Sequence, residues 1–222
     1  MAGFADRRDA GRQLAAALLR FRGDDPVVLA LPRGGVPVGF EVAQALGAPL
    51  DVVLVRKIGA PLQPELGIGA VAEGPEPLVV LDEAALRWVA PPPGYVAAAV
   101  RRQIGEIGRR RALYQAARPR VAVAGRTVIV VDDGVATGGT ARAALRALRR
   151  LGPRRLVLAV PVAAPESLAE LAGEADEIVC VLTPGHLSAV GAFYRDFTQT
   201  TDDEVLALLN AGRLRPEGAR LG

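Results

Sequence analysis

The chain has 222 residues, half of them hydrophobic and 23% charged, and a formal net charge of +3. This is the composition of one folded domain with a real core, and it excludes a disordered or low-complexity chain. A single cysteine, Cys180, rules out an internal disulfide, and no run reaches the roughly 18 apolar residues that would span a bilayer. The N-terminus mixes charges early where a secretory leader would be apolar, so a soluble, cytoplasmic protein is expected. Asp6 to Phe21 carries apolar residues at helical spacing (Leu14, Leu18, Phe21) and predicts an amphipathic helix. Val27 to Leu31 reads as a buried strand, broken by Pro32-Arg33-Gly34-Gly35. A helix from Val38 to Leu46 and a strand from Leu50 to Val55 follow. Strand, glycine loop, helix and strand within about thirty residues form a βαβ unit, which calls for a parallel sheet.

Residues 58 to 78 are dense in Gly, Pro and Glu and predict a long loop, with a short hairpin around Ile68 to Ala72. Asp82 to Trp88 is a short helix stopped by Pro91-Pro92-Pro93, and Tyr95 to Ala117 a long arginine-rich one. Its Arg109-Arg110-Arg111 run reads as a solvated face. No aromatic residues interleave the arginines, so no nucleic-acid partner is expected. Strands are predicted at Thr127 to Val131, Leu156 to Val160 and Glu177 to Leu182. Helices are predicted at Thr140 to Leu151 and Pro165 to Ala172, and at Asp202 to Asn210 with Thr201 or Asp202 as cap. Cys180 falls inside the last apolar strand and reads as a structural thiol.

The strongest local signal runs from Val128 to Thr140 (VIVVDDGVATGGT). Four apolar residues end in two carboxylates, Asp132 and Asp133, and a Thr/Gly loop then opens the next helix. In open α/β sheets ligands sit outside the carboxyl ends of strands. A helix N-terminus offers unpaired N–H groups and partial positive charge. Gly138 and Gly139 let backbone approach a phosphate, and Thr137 and Thr140 add hydroxyl donors. The carboxylates can hold vicinal hydroxyls or face a divalent cation. A phosphate, a diol and a metal together describe a ribose 5-phosphate. The string is neither a Walker loop nor a Gly-x-Gly-x-x-Gly turn. Lys57 is the only lysine in the chain, which suggests a position needing a compact ammonium.

That string resembles the signature by which type I phosphoribosyltransferases bind 5-phosphoribosyl-1-diphosphate (PRPP). The resemblance assigns Asp132 and Asp133 to the ribose hydroxyls and, through water, to Mg2+, and Ala136, Thr137, Gly138, Gly139 and Thr140 to the 5-phosphate. Leu31 to Gly35 resembles the family's diphosphate loop, with Arg33, Gly34 and Gly35 facing the diphosphate and a cis peptide expected between Arg33 and Gly34. Arg56-Lys57 resembles the start of the flexible catalytic loop, which gives Lys57 the leaving group and makes Lys57, Asp132 and Asp133 the catalytic set. RKIGAP, ELGIGAVAEG, VDDGVATGGT and AVGAFYRDF are also similar to a subgroup of bacterial phosphoribosyltransferases without an assigned acceptor.

The resemblance implies an α/β fold with a mostly parallel sheet flanked by helices, in one domain of residues 1–222. Its core would cover about 24–57 and 118–185, a flexible insert and helix about 58–117, and a small C-terminal hood about 186–222. It implies a transferase of nucleotide metabolism that moves the 5-phosphoribosyl group to a nucleobase-like nitrogen acceptor and releases diphosphate, as a homodimer. Phe193 and Tyr194 of the hood are candidates for stacking on the acceptor, and Glu65 and Glu73 for proton transfer. The 6-oxopurine enzymes of the family carry a carboxylate where this chain has Ala136, which leaves the acceptor open. A PRPP-sensing regulator without chemistry is the alternative.

Overall fold

The computed structural model describes residues 3–114 and 120–212. Its main sheet uses the apolar runs read from the sequence: β1 (Pro26–Ala30), β2 (Leu50–Val52), β6 (Thr127–Val131), β7 (Arg155–Val162) and β8 (Glu177–Leu182). All pair in parallel, in the order β2-β1-β6-β7-β8, with Leu29 opposite Val130 and Val130 opposite Leu158. The three central strands are apolar without alternation because both faces are covered. Val28, Ala30, Ile129 and Val131 pack under α1 (Arg7–Leu18) and α2 (Gly35–Leu46). Their neighbours Val27, Leu29, Val128 and Val130 pack under α5 (Gly139–Arg149) and α6 (Pro165–Leu171).

The glycine-rich stretch departs from expectation. The strand predicted from Leu50 to Val55 divides: β2 ends at Val52, and β3 (Val55–Gly59) begins a second sheet. There β3 pairs antiparallel with β4 (Gly67–Ala72), and β4 with β5 (Leu78–Leu81). The hairpin expected around Ile68 to Ala72 is thus one strand of a three-stranded sheet, and the turn at 60–66 is what projects. The cause is tertiary. Ala70, Ala72 and Leu78 pack on Ala143 and Ala147 of α5, small side chains on both sides allowing close contact.

Two helices, α3 (Glu83–Val89) and α4 (Tyr95–Tyr114), follow; Asp82 caps α3 by accepting from the Ala85 N–H. The predicted continuation of α4 to Ala117, and residues 213–222 of the hood, lie outside the described residues. α2 starts three residues before the predicted Val38, because Pro37 sits in its first turn, where no N–H is needed. The last helix, α7 (Asp202–Ala211), is capped by Thr201 in a reciprocal capping box with Glu204. No described helix is long and apolar enough to cross a membrane.

Candidate active site

Because β1 and β6 are parallel neighbours, the loops that follow them leave the sheet on the same rim. The Leu31 N–H donates to the Val131 carbonyl at 2.8 Å, which stitches the two exits together. Beyond that bond the loops touch. A Cβ on Gly34 would lie 1.9 Å from Asp133 Oδ2, and one on Gly35 would lie 2.7 Å from the Val131 carbonyl oxygen. Only glycine fits where the first loop meets the acidic pair. The cis peptide joins Pro32 and Arg33, one bond before its expected place. Gly34 already has helical angles and the Arg33 carbonyl already accepts from Val36, so the chain reverses ahead of Arg33.

The second loop is held from below and open above. Val135 exchanges backbone hydrogen bonds with Val162 and Ala164 at the end of β7. Ser167 Oγ donates to the Ala136 carbonyl. Gly138 takes a left-handed φ of 73° and caps α5, a conformation that costs glycine little. Ala136, Thr137, Gly139 and Thr140 are exposed. The first N–H groups of α5 have no partner within the helix. The result is an open cup lined with backbone donors and hydroxyls, suited to a phosphate.

Asp132 and Asp133 stand between the two loops. Burial pushes both carboxyls above the usual carboxylate range; for Asp132 the neighbouring charge of Asp133 adds to the effect. Arg7 opposes it at Asp133, with Nε 2.8 Å from Oδ2. Among the described residues no group of three or more His, Cys, Asp or Glu side chains could hold a metal alone. Two crowded carboxylates with one guanidinium beside them do fit Mg2+, a hard cation that keeps waters and shares its site with substrate phosphates.

The other predicted residues divide. The Arg33 guanidinium lies 3.9 Å from Asp202 at the start of α7. Lys57 lies on β3, not after the strand, and its ammonium contacts the Glu65 carbonyl and, at 3.7 Å, the Glu65 carboxylate. It reaches the projecting turn. Glu73 is corrected outright: neither solvated nor free for proton transfer, it is 8% exposed. It accepts from the Leu54 N–H at 2.7 Å and pairs with Arg111, which also reaches Asp51. Burial, outweighing the pull of Asp51, lowers the Arg111 guanidinium to about 10.

Tyr194 is not an open stacking surface. Its ring lies between Phe4 and Phe197, with centroids 5.3 and 4.9 Å away, and it is 7% exposed. Its hydroxyl donates to the Asp133 carbonyl at 2.5 Å. Phe193 is half-buried in the same cluster, and its carbonyl accepts from the Phe4 N–H. Sequence reasoning misses Phe4 and Arg7, which lie in the N-terminal segment that pairs with the hood; the unbroken apolar spacing of α1 hides an arginine turned inward.

Comparison with known proteins agrees with this architecture. A family model described as "Phosphoribosyl transferase domain" matches residues 6–190. The chain is 49% identical, over 93% of its length, to a Mycobacterium tuberculosis protein provisionally named phosphoribosyl transferase Rv0571c. It spans about half that relative, 46% of its length. It shares 49% identity with the crystal structure of TT1426 from Thermus thermophilus, covering 93% of this chain and 97% of that one with a TM-score of 0.78. A hypothetical protein from Neisseria gonorrhoeae, solved with bound ppGpp, is 17% identical over 96% of this chain and 99% of its own, with a TM-score of 0.50. That last likeness is one of fold alone. With the parallel five-stranded sheet and helices on both faces, these matches place the chain in the phosphoribosyl transferase domain family.

Proposed function

We propose that the protein binds PRPP with Mg2+ on the rim formed by residues 31–35 and 132–140 and transfers the 5-phosphoribosyl group to a nucleobase-like nitrogen acceptor. The observation that carries this reading is the packing of Gly34 and Gly35 directly against Asp133 and Asp132. It sets a backbone-lined turn, a carboxylate pair and an exposed loop of hydroxyls and N–H groups side by side, in the order that diphosphate, ribose and 5-phosphate have along the substrate. Ala136 to Thr140 would hold the 5-phosphate. Asp132 and Asp133 would accept from the ribose hydroxyls and, through water, hold the metal. Arg33, Gly34 and Gly35 would meet the diphosphate. Mg2+, when bound, neutralises charge on the diphosphate.

The reaction breaks the bond from the anomeric carbon to the diphosphate oxygen and forms one to the acceptor nitrogen, which gives up its proton. The protein's part is to position both partners and stabilise charge as it moves. Lys57 is suited to the leaving diphosphate once the projecting turn at 60–66 folds over the rim and shuts out water. Glu65 on that turn is exposed and available to the acceptor's proton. A homodimer in the cytoplasm is the expected setting.

The test is diphosphate release from PRPP and Mg2+ across purines, pyrimidines and simple amines. Release that depends on one acceptor supports the transferase and identifies its substrate class. Tight PRPP binding without release under any acceptor replaces it with a sensor, a reading favoured by Ala136, which puts no proton-transfer group beside the phosphate.

A further inference from the structure

Arg7 lies 126 residues from Asp133 in the chain, yet among the described residues it is the cation that bonds the acidic pair. It is fixed on three sides. Nε donates to Asp133 Oδ2 at 2.8 Å, a terminal nitrogen donates to the Thr198 carbonyl at 2.8 Å, and the guanidinium carbon lies 3.8 Å above the Phe197 ring. Its side chain is only 11% exposed. A Cβ placed on Gly34 would come within 3.0 Å of Arg7 Nε. The diphosphate loop, the acidic pair, the first helix and the hood thus meet at this one side chain. The Tyr194 hydroxyl secures the same aspartate by its carbonyl. A carboxylate has about four lone-pair directions, so the bond from Arg7 and the contact with Asp132 still leave directions for a sugar hydroxyl. A planar guanidinium clamped by stacking and a carbonyl also fixes direction in a way a mobile ammonium does not.

We propose that Arg7 is a positioning residue, holding the Asp133 carboxylate at the angle that receives a ribose hydroxyl and linking that angle to the hood through Phe197 and Thr198. The inference rests on the PRPP reading above. It predicts a larger effect on ribose recognition than on the diphosphate subsite.

The experiment is calorimetric titration of the full chain with three probes: PRPP with Mg2+, ribose 5-phosphate, and inorganic diphosphate with Mg2+. Arg7→Met should weaken PRPP and ribose 5-phosphate about tenfold to a hundredfold, the range for losing a hydrogen bond to a charged group, and weaken diphosphate, which reaches Asp133 only through the shared metal, by a clearly smaller factor. Arg7→Lys, which keeps a donor and the charge, should recover part of the loss. Phe197→Leu removes the platform without touching Asp133 and should give smaller losses with the same bias towards those two ligands. It tests the proposal even where Arg7→Met folds poorly. Unaltered ribose 5-phosphate affinity in Arg7→Met and Phe197→Leu would overturn it. So would equal weakening of all three ligands, with no rescue by lysine, in protein that melts early, the mark of a packing role. Failure of the wild-type protein to bind PRPP would instead overturn the functional reading itself, and this inference with it.

Discussion

The rim loops and the β3–β4–β5 sheet are both rich in glycine, but they use it under opposite constraints. At the rim, Gly34 and Gly35 are pressed against Asp133 and the Val131 carbonyl, and distant segments lock the acidic pair from the far side. In the small sheet, order is concentrated at the base, where Arg111 bonds Glu73 and Asp51, while the turn at 60–66 carries Leu62 at 94% exposure. The first region is packed tightly from both sides; the second is anchored at one end and exposed at the tip of the other. Composition cannot separate these cases, because what distinguishes them is which distant side chains press on each glycine.

Three substitutions probe the contrast. Arg111→Met removes the cation that joins Glu73 and Asp51, leaving Asp51 without its ion pair and Glu73 with Arg120 at 3.4 Å. A loss on the order of 3–5 kcal/mol of stability is expected in chemical denaturation, and a loss under about 1 kcal/mol would show that the anchor lies elsewhere. Asp132→Asn should do the reverse, abolishing PRPP binding while stabilising the free protein. The folded Asp132 holds its proton more tightly than the unfolded chain does. Its ionised form is therefore a penalty that grows as pH rises above about 4 and disappears in acid. The variant should melt higher at neutral and alkaline pH, by roughly 2–4 °C for each kcal/mol relieved, and the two melting curves should converge in acid. A variant less stable than wild type at pH 8 would mean that the pair is held by more than Arg7. Lys57→Met should be the mildest for folding, within about 0.5 kcal/mol for an exposed side chain. Turnover should nevertheless fall about tenfold to a hundredfold if the ammonium meets the diphosphate in the closed state. A fall in kcat without a rise in KM for PRPP would assign that contact to the transition state.

Much of this is legible in the chain. Unbroken apolar runs locate β1, β6 and β8, and the Asp132 to Thr140 string stands out because carboxylates, glycines and threonines follow a buried strand directly. What stays hidden depends on partners far away in sequence. Of the small sheet only a short hairpin around Ile68 to Ala72 is legible; the rest reads as a loop because its glycines and prolines are turn formers, and only the alanine face of α5 makes them a ladder. Glu73 reads as a loop acid because nothing local announces Arg111, 38 residues on. Arg7 is invisible for the same reason at greater range. The aromatic cluster of the hood is visible in the sequence, but its role is not: Tyr194 supports the acidic loop from below and does not offer a face to a ligand.

The pairing of Phe4 with Phe193, and of Arg7 with Thr198, also sets a schedule for the nascent chain. Residues 7 and 198 are separated by 191 positions. A ribosome adding roughly 5–20 residues per second would take about 10 to 40 seconds to supply the second after the first. Through that interval α1 and β1 can form, but Asp133, once made, lacks the hood that holds Arg7 against it, so the acidic pair is among the last parts of the molecule to reach its final packing during synthesis.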